Sequence, residues 1–186
     1  EYKEVVSAWL SARGYRVIDH GATAYDEDDD FPDYIAKAAA AVGRRPHTTR
    51  GIIFGGSGQG EAIVANRYPG VRAIVYYGEN KSIPSLSRQH NDANIISIGV
   101  RFVSIKEVEQ ALDGWLNTMP LNDKKYARRN KKIEKLARSI AAQKYRPVVP
   151  AVIPQSAGEL IAAAEELSFS DELQVDLVDG EFVNSV

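Results

Sequence analysis

The sequence contains no cysteine among its 186 residues, and it has no long apolar run and no strong excess of one charge. Without cysteine there are no disulfides, no thiolate metal ligands and no thiol nucleophile. No stretch approaches the roughly 20 apolar residues of a membrane-spanning helix, and the chain does not open on a signal-peptide pattern. The formal net charge of −2 argues against bulk attraction to nucleic acid or membranes. We therefore expect a cytoplasmic globular protein.

A glycine-rich loop is the most distinctive stretch. Residues 51–61, GIIFGGSGQGE, form a short apolar run followed by glycines that alternate with other residues, at Gly56, Gly58 and Gly60. Glycines let backbone N–H groups converge, and a following helix leaves more of them unpaired, so the loop can bind an anion or a developing oxyanion. Ser57 and Glu61 add a hydroxyl and a carboxylate. The spacing matches neither a dinucleotide motif nor a P-loop, and a plain strand-to-helix turn is the alternative interpretation.

Segments with helical spacing alternate with short apolar runs along the first two thirds of the chain. The predicted helices are Tyr2–Arg13, Ala36–Ala41, Ala62–Asn66, Ile83–His90 and Ser104–Leu116, and the predicted strands are Tyr15–Asp19, Gly51–Phe54, Val71–Tyr77 and Asn94–Gly99. This alternation favours an α/β fold with a parallel sheet, which binds ligands beyond the carboxyl ends of its strands. Because the glycine loop, His90–Asn91 and Arg101 each lie near the end of an element, they can share the rim that these carboxyl ends form.

The last third begins with a long, basic, polar helix predicted over Asp123–Arg146. A solvated face is the usual explanation of such a charge run, and RNA binding is a weaker one because no aromatic residues interleave for stacking. A third is that cations one turn apart, such as Lys125 and Arg129, serve a phosphorylated ligand. The composition changes at Arg146–Pro147, after which the pattern predicts one β-α-β unit. We therefore expect two domains, 1–146 and 147–186.

Five blocks of sequence occur in a characteristic order. They are residues 51–66, Gly70-Val-Arg-Ala, residues 86–94 (LSRQHNDAN), residues 98–101 (IGVR) and the helix containing Trp115-Leu. On these blocks, residues 2 to about 136 resemble the type B ribose-5-phosphate isomerases, a family that includes the galactose-6-phosphate isomerase subunits. The resemblance implies a Rossmann-like three-layer parallel sheet and a homodimer with shared active sites. It also implies interconversion of ribose 5-phosphate and ribulose 5-phosphate in the pentose phosphate pathway, without a metal or cofactor.

The same resemblance assigns roles to residues of the glycine loop. Some family members carry a cysteine base at the position of Gly55, and others carry a glutamate at the position of Glu61. Proton transfer between C2 and C1 of a sugar needs a base in reach and donors around the enediolate oxygen. Glu61 is therefore the expected base, and Ser57 with the backbone of Gly56, Gly58 and Gly60 is expected to hold the enediolate.

Residues outside the loop also match family positions. His90 corresponds to a histidine that assists opening of the furanose ring, and Asn91 to a residue that binds sugar oxygens. A histidine that only interacts with the helix dipole is the alternative for His90. The remaining matches are Arg101, Lys125 and Arg129, and all three are expected to bind phosphate. Lys125 and Arg129 would do so from the partner subunit. Tyr126 stands where the family commonly has histidine.

The sequence departs from the family pattern at the front. Family members begin with a strand and an Asp-His-Ala loop that helps to bind the substrate, and neither is found in this chain. That strand lies inside the family's sheet, so its absence leaves two neighbouring strands without a hydrogen-bond partner. We therefore expect weak turnover by these 186 residues alone. The open alternatives are an inactive sugar-phosphate-binding or scaffold protein, and an isomerase of allose or galactose 6-phosphate.

Residues 147–186 resemble a second family more weakly. Residues 149–154 (VPAVIP) and 175–180 (VDLVDG) resemble the opening of ribulose-phosphate 3-epimerases, which are (β/α)₈ barrels. Asp176 matches a metal ligand of that family, but Gln174 replaces its histidine, which puts metal binding and epimerase activity in question. An incomplete barrel-like β-α-β unit is therefore the expected structure of this segment.

Overall fold

The computed structural model describes residues 1–24, 26–142, 151–152, 156–166 and 174–175. The chain divides into two compact units, Glu1–Ala142 and Gln143–Val186. The elements of the first unit are α1 (Tyr2–Ala12), α2 (Phe31–Arg44), β1 (Gly51–Gly55), α3 (Gln59–Ala65), β2 (Ala73–Tyr76), α4 (Ile83–Asn91), β3 (Ile95–Gly99), α5 (Ile105–Asn117) and α6 (Lys124–Ala142). No helix of the described residues is long and apolar enough to cross a membrane.

A parallel sheet of three strands forms the centre of the first unit, in the order β1-β3-β2. Ile95 at the start of the middle strand pairs with Gly51 on one side and Ala73 on the other. All five residues of β3 are buried, as expected for a central strand covered on both faces.

Two hydrophobic cores lie on opposite faces of this sheet, because successive strand residues point to opposite sides. Ile96 and Ile98 pack against α1 and α5, in a core that contains Val6, Leu10, Val108, Leu112 and Trp115. Ile53 and Ile95 pack against α2 and α3, in a core that contains Ile35, Ala39, Val42 and Ala65. The predicted three-layer α/β architecture is therefore confirmed.

One predicted strand is wrong. Tyr15–Asp19 has no regular secondary structure, and its apolar side chains Tyr15, Val17 and Ile18 are 42%, 36% and 61% exposed. An extended segment becomes a strand only when a neighbour satisfies its backbone groups. In the described part of the chain β1 pairs with β3 alone, and no strand pairs with Tyr15–Asp19.

A capping box fixes the start of α5. The Glu107 N–H donates to Ser104 Oγ at 3.3 Å, and the Ser104 N–H donates to the Glu107 carboxylate at 2.9 Å. These two bonds satisfy backbone donors that a helix start leaves free. The hydrogen bonds from the Ser104 backbone and hydroxyl lower the pKa of Glu107. The capping box marks the end of the loop that connects β3 to α5, and Arg101 lies in this loop.

The second unit contains two short strands and a helix, β4 (Ala151–Val152), α7 (Ala157–Glu166) and β5 (Gln174–Val175). The two strands are parallel, which matches the predicted β-α-β order. The predicted boundary at Arg146–Pro147 and the metal-ligand position Asp176 both lie outside the described residues.

Candidate active site

The glycine loop crosses the carboxyl end of the sheet, between β1 and α3. Gly58 precedes α3 and has a φ of 77°, in the left-handed region that favours glycine. A Cβ there would lie 3.1 Å from Ser97 Oγ and 3.2 Å from the Gly99 nitrogen, and Ser97 Oγ donates to the Gly58 carbonyl at 2.6 Å. The loop therefore packs directly on the end of β3 and leaves its other side, with exposed Ser57, open to a ligand.

The Glu61 carboxylate folds back over the end of β1. Glu61 lies in the first turn of α3 and is only 9% exposed. A Cβ built on Gly55 would overlap the Glu61 carboxylate atoms, so this carboxylate occupies the space that a side chain at position 55 would need. A nearly buried carboxylate thus lies beside a loop rich in backbone donors, as proton abstraction next to a developing oxyanion requires.

Arg101 lies against the same loop. The N–H groups of Val100 and Arg101 donate to the carbonyls of Gly55 and Gly56 at 2.9 and 3.2 Å. A Cβ on Gly56 would lie 2.9 Å from Arg101 Cζ, so the guanidinium packs on the face of this glycine. The predicted juxtaposition of the glycine loop and Arg101 is confirmed.

Phe31 is a loop neighbour that sequence reasoning missed. Its ring carbon Cζ would lie 3.0 Å from a Cβ on Gly60, so the ring packs on the start of α3. The sequence feature that could have indicated an earlier start of this helix is Pro32, since proline is favoured in the first turn of a helix. That proline places the beginning of α2 at Phe31, five residues before the predicted start at Ala36.

His90 and Asn91 lie at the other edge of the sheet, so the prediction that they share the rim is wrong for a single chain. Arg72, directly before β2, donates through Nε to the Asn91 carbonyl at 2.8 Å. The end of α4 therefore lies beside the amino ends of the strands. A five-residue strand spans roughly 13 Å, which separates this edge from the glycine loop. The physical reason is that α4 precedes β3 and returns the chain to where that strand begins.

A second group of predicted site residues gathers around His90. Its imidazole stacks on the Tyr126 ring, with centroids 4.4 Å apart and planes at 11°, and Asn130 Nδ2 donates to its carbonyl at 3.2 Å. Lys125 Nζ is 5.8 Å from the centroid of the Tyr126 ring. Lys125 and Arg129 are exposed on successive turns of α6. Within the described residues, no hydrogen bond, ion pair or ring contact joins this group to the glycine loop.

An ion-pair network fixes the end of α4. The Asp92 carboxylate accepts from Arg72 at 3.0 Å and from Arg88 at 2.6 Å. The side chains of these arginines are 9% and 3% exposed, and Arg72 also pairs with Glu134 of α6. Burial, together with the charge of nearby Arg88, lowers the pKa of the Arg50 guanidinium. The network ties His90 and Asn91 to the start of β2 and to α6.

Comparison with known proteins identifies the family. The model of the family described as Ribose/Galactose Isomerase matches residues 1–136. The chain belongs to the ribose/galactose isomerase family. The match covers the first unit as far as the middle of α6, and it confirms the resemblance inferred from the sequence blocks.

Relatives within the ribose/galactose isomerase family include curated bacterial proteins. Ribose-5-phosphate isomerase B of Mycolicibacterium paratuberculosis is 37% identical over 118 residues, 63% of this chain and 72% of the relative. Ribose-5-phosphate isomerase B of Escherichia coli is 38% identical over 114 residues, 61% of this chain and 74% of the relative.

Solved structures of family members share the fold. Ribose-5-phosphate isomerase B from Mycoplasma genitalium, with bound ribulose-5-phosphate, superposes with a TM-score of 0.69 and 28% identity, over 74% of this chain and 88% of that one. The Clostridium thermocellum protein gives a TM-score of 0.67 and 36% identity, over 75% of this chain and 90% of that one. The expected α/β family fold is therefore confirmed.

Proposed function

We propose that this protein is an aldose-ketose isomerase that interconverts ribose 5-phosphate and ribulose 5-phosphate. The observation that carries the proposal is the nearly buried Glu61 carboxylate, which folds over Gly55 beside a donor-rich loop and Arg101. The names of the relatives and the ribulose 5-phosphate bound to the Mycoplasma genitalium protein support the substrate class.

In the proposed reaction, Glu61 moves a proton between two sugar carbons. Its carboxylate takes the proton from C2 of the open-chain aldose, and the electron pair of that bond forms the C1–C2 double bond while O1 becomes an oxyanion. Backbone N–H groups from Gly56 to Gly60 and the Ser57 hydroxyl donate to the enediolate, which lowers the barrier. The Glu61 carboxyl group then returns its proton to C1, and the hydroxyl proton of O2 passes to O1.

The proposal requires a homodimer. Arg101 lies on the loop and is suited to the phosphate, but His90, Asn91, Lys125 and Arg129 belong to the opposite edge of the same chain. A second copy related by twofold symmetry can present its own edge to the glycine loop. His90 of the partner subunit would then assist ring opening and Asn91 of the partner subunit would bind sugar oxygens. Lys125 and Arg129 of the partner subunit would neutralise the phosphate, the lysine as a point charge.

Exchange of the C2 proton tests this reaction directly. Ribose 5-phosphate is incubated with the protein in deuterated water, and loss of the C2 proton signal is followed by NMR for hours, so that a slow enzyme is also detected. Glu61→Gln keeps the size of the side chain but removes the base, and we expect exchange to fall about a hundredfold or more. Glu109→Gln on α5 is the matched control and keeps the wild-type rate.

The outcomes separate the alternatives. Wild-type exchange by Glu61→Gln would show that Glu61 is not the base. Binding of ribose 5-phosphate without any exchange by the wild type would support an inactive sugar-phosphate-binding protein. The same assay with allose 6-phosphate and galactose 6-phosphate identifies the preferred sugar.

A further inference from the structure

We propose that Tyr126 is a positioning residue that holds the His90 imidazole in its working orientation. The two rings are stacked, with centroids 4.4 Å apart and an angle of 11° between their planes. Both side chains are half-buried, so part of each ring remains exposed to solvent. The inference rests on the proposed isomerase function, in which His90 assists opening of the sugar ring.

A stripe along α6 holds the tyrosine in this place. Tyr126, Asn130 and Glu134 are four residues apart and so lie on one face of the helix. Asn130 donates to the His90 carbonyl at 3.2 Å, and Glu134 pairs with Arg72. Arg72 in turn donates to the carbonyls of Asn91 and Asp92. Three successive turns of α6 therefore contact either the end of α4 or Arg72 beside it. The contacts of Asn130 and Glu134 hold the Tyr126 ring over His90.

The ring stack with Tyr126, and not a hydrogen bond, restricts the orientation of the His90 imidazole. In the described residues, the polar and ring contacts of His90 outside α4 are the ring stack with Tyr126 and the hydrogen bond from Asn130 to its backbone carbonyl. The backbone bond leaves the side-chain torsions of His90 free, whereas a parallel ring at 4.4 Å restricts rotation of the imidazole out of its plane. The orientation of the ring nitrogens, which must meet the sugar oxygens, therefore depends on the tyrosine.

This arrangement separates ring opening from phosphate binding. Lys125 and Arg129 lie on a neighbouring stripe of α6 and are exposed, so loss of the Tyr126 ring leaves Arg129 in place and removes from the Lys125 ammonium only a weak ring contact, 5.8 Å from the centroid. We therefore expect a substitution at position 126 to lower kcat while changing KM little. A misplaced reacting group costs up to about a hundredfold in rate, and we expect kcat to fall about tenfold to a hundredfold in Tyr126→Leu.

The test compares Tyr126→Leu, which removes the ring, with Tyr126→Phe, which keeps it. Steady-state isomerisation of ribose 5-phosphate gives kcat and KM, and NMR of protein with labelled histidine gives the His90 ring-proton shifts without substrate. Only three histidines need assignment. Tyr34→Leu is the matched control, because Tyr34 is also half-buried on a helix and has a lysine ammonium 5.3 Å from its ring centroid. Thermal unfolding confirms that each variant is folded.

In Tyr126→Leu we expect the His90 signals to lose their ring-current shift and kcat to fall, while Tyr126→Phe and Tyr34→Leu keep wild-type values. Unchanged kcat and unchanged His90 signals in Tyr126→Leu would overturn the inference. Equal loss of kcat in Tyr126→Phe would also overturn it, since the hydroxyl and not the stacked ring would then matter. A wild type without isomerase activity would refute the proposed function instead, and the histidine signals would still decide the stacking.

Discussion

At the residue scale, Gly55 and Glu61 form a spatially matched pair. The carboxylate occupies the volume that a side chain at position 55 would fill. A cysteine base at position 55, which the resemblance implies for some family members, would therefore compete for space with a glutamate at position 61, which it implies for others. Both alternatives place a proton acceptor over the end of the same strand, but they cannot coexist without displacement of one.

Gly55→Ala tests this pairing. The new Cβ meets the far end of a flexible side chain, so the carboxylate swings away while the backbone stays in place. We expect kcat to fall about a hundredfold, as for a misplaced reacting group, whereas the free energy of unfolding changes by less than about 2 kcal/mol. Kinetics and urea unfolding measure the two effects. Gly114→Ala on α5 is the control with wild-type activity, and wild-type kcat in Gly55→Ala would refute the pairing.

At the element scale, the path of α4 decides where His90 lies. Helical spacing and buried apolar runs predicted the existence of α4 and β3 from local sequence, and the bounds agree within one residue at each end of β3. The spacing of apolar residues alone does not show whether a helix ends beside the amino ends or the carboxyl ends of the strands. The parallel topology does, because a helix that precedes a strand must end at that strand's amino end, and this reasoning would have placed His90 away from the glycine loop.

The carboxylate of Asp92 fixes that end of α4, and Asp92→Asn isolates its charge. Asp92 has a φ of 46°, which asparagine also tolerates, so the backbone is preserved. The change leaves the Arg88 guanidinium, 3% exposed, without its carboxylate partner. Removal of one partner of a buried ion pair costs about 3 kcal/mol, and we expect a loss of that size in urea unfolding. Asp113→Asn, an exposed aspartate, should change stability by less than about 0.5 kcal/mol; equal small losses would contradict a stabilising network.

At the scale of the whole molecule, sequence predicted the layers but not the complete sheet. Apolar periodicity is local, so it identified the helices and the three strands of the sheet. The Tyr15–Asp19 segment has the alternation of a strand, yet whether it becomes one depends on a neighbour that supplies backbone partners. The glycine loop and Arg101 were also predictable, since both follow carboxyl ends of strands. Pro32 indicates where α2 begins, but the packing of Phe31 on Gly60 and of Tyr126 on His90 was not predictable, because it depends on contacts between helices that no local pattern encodes.

The division of the proposed site residues between two edges of the sheet makes subunit complementation the decisive test of the proposed dimer. Glu61→Gln disables the loop edge and His90→Ala disables the opposite edge, so each variant alone should turn over ribose 5-phosphate poorly. If sites are shared, a mixed dimer contains one site with both native residues. Random pairing of equal amounts then restores about a quarter of wild-type activity, because half of the dimers are mixed and each has one native site.

The control mixes two variants of the same edge, Glu61→Gln and Ser57→Ala. Every loop in that mixture carries one defect, so shared sites predict no activity above the mean of the two parents. Co-expression with two affinity tags, followed by tandem purification, isolates the mixed dimers and removes the dependence on random pairing. In that preparation half of the sites are native if His90 crosses the interface. Activity no higher than the parents in the Glu61→Gln with His90→Ala mixture would show that each site is built within one chain.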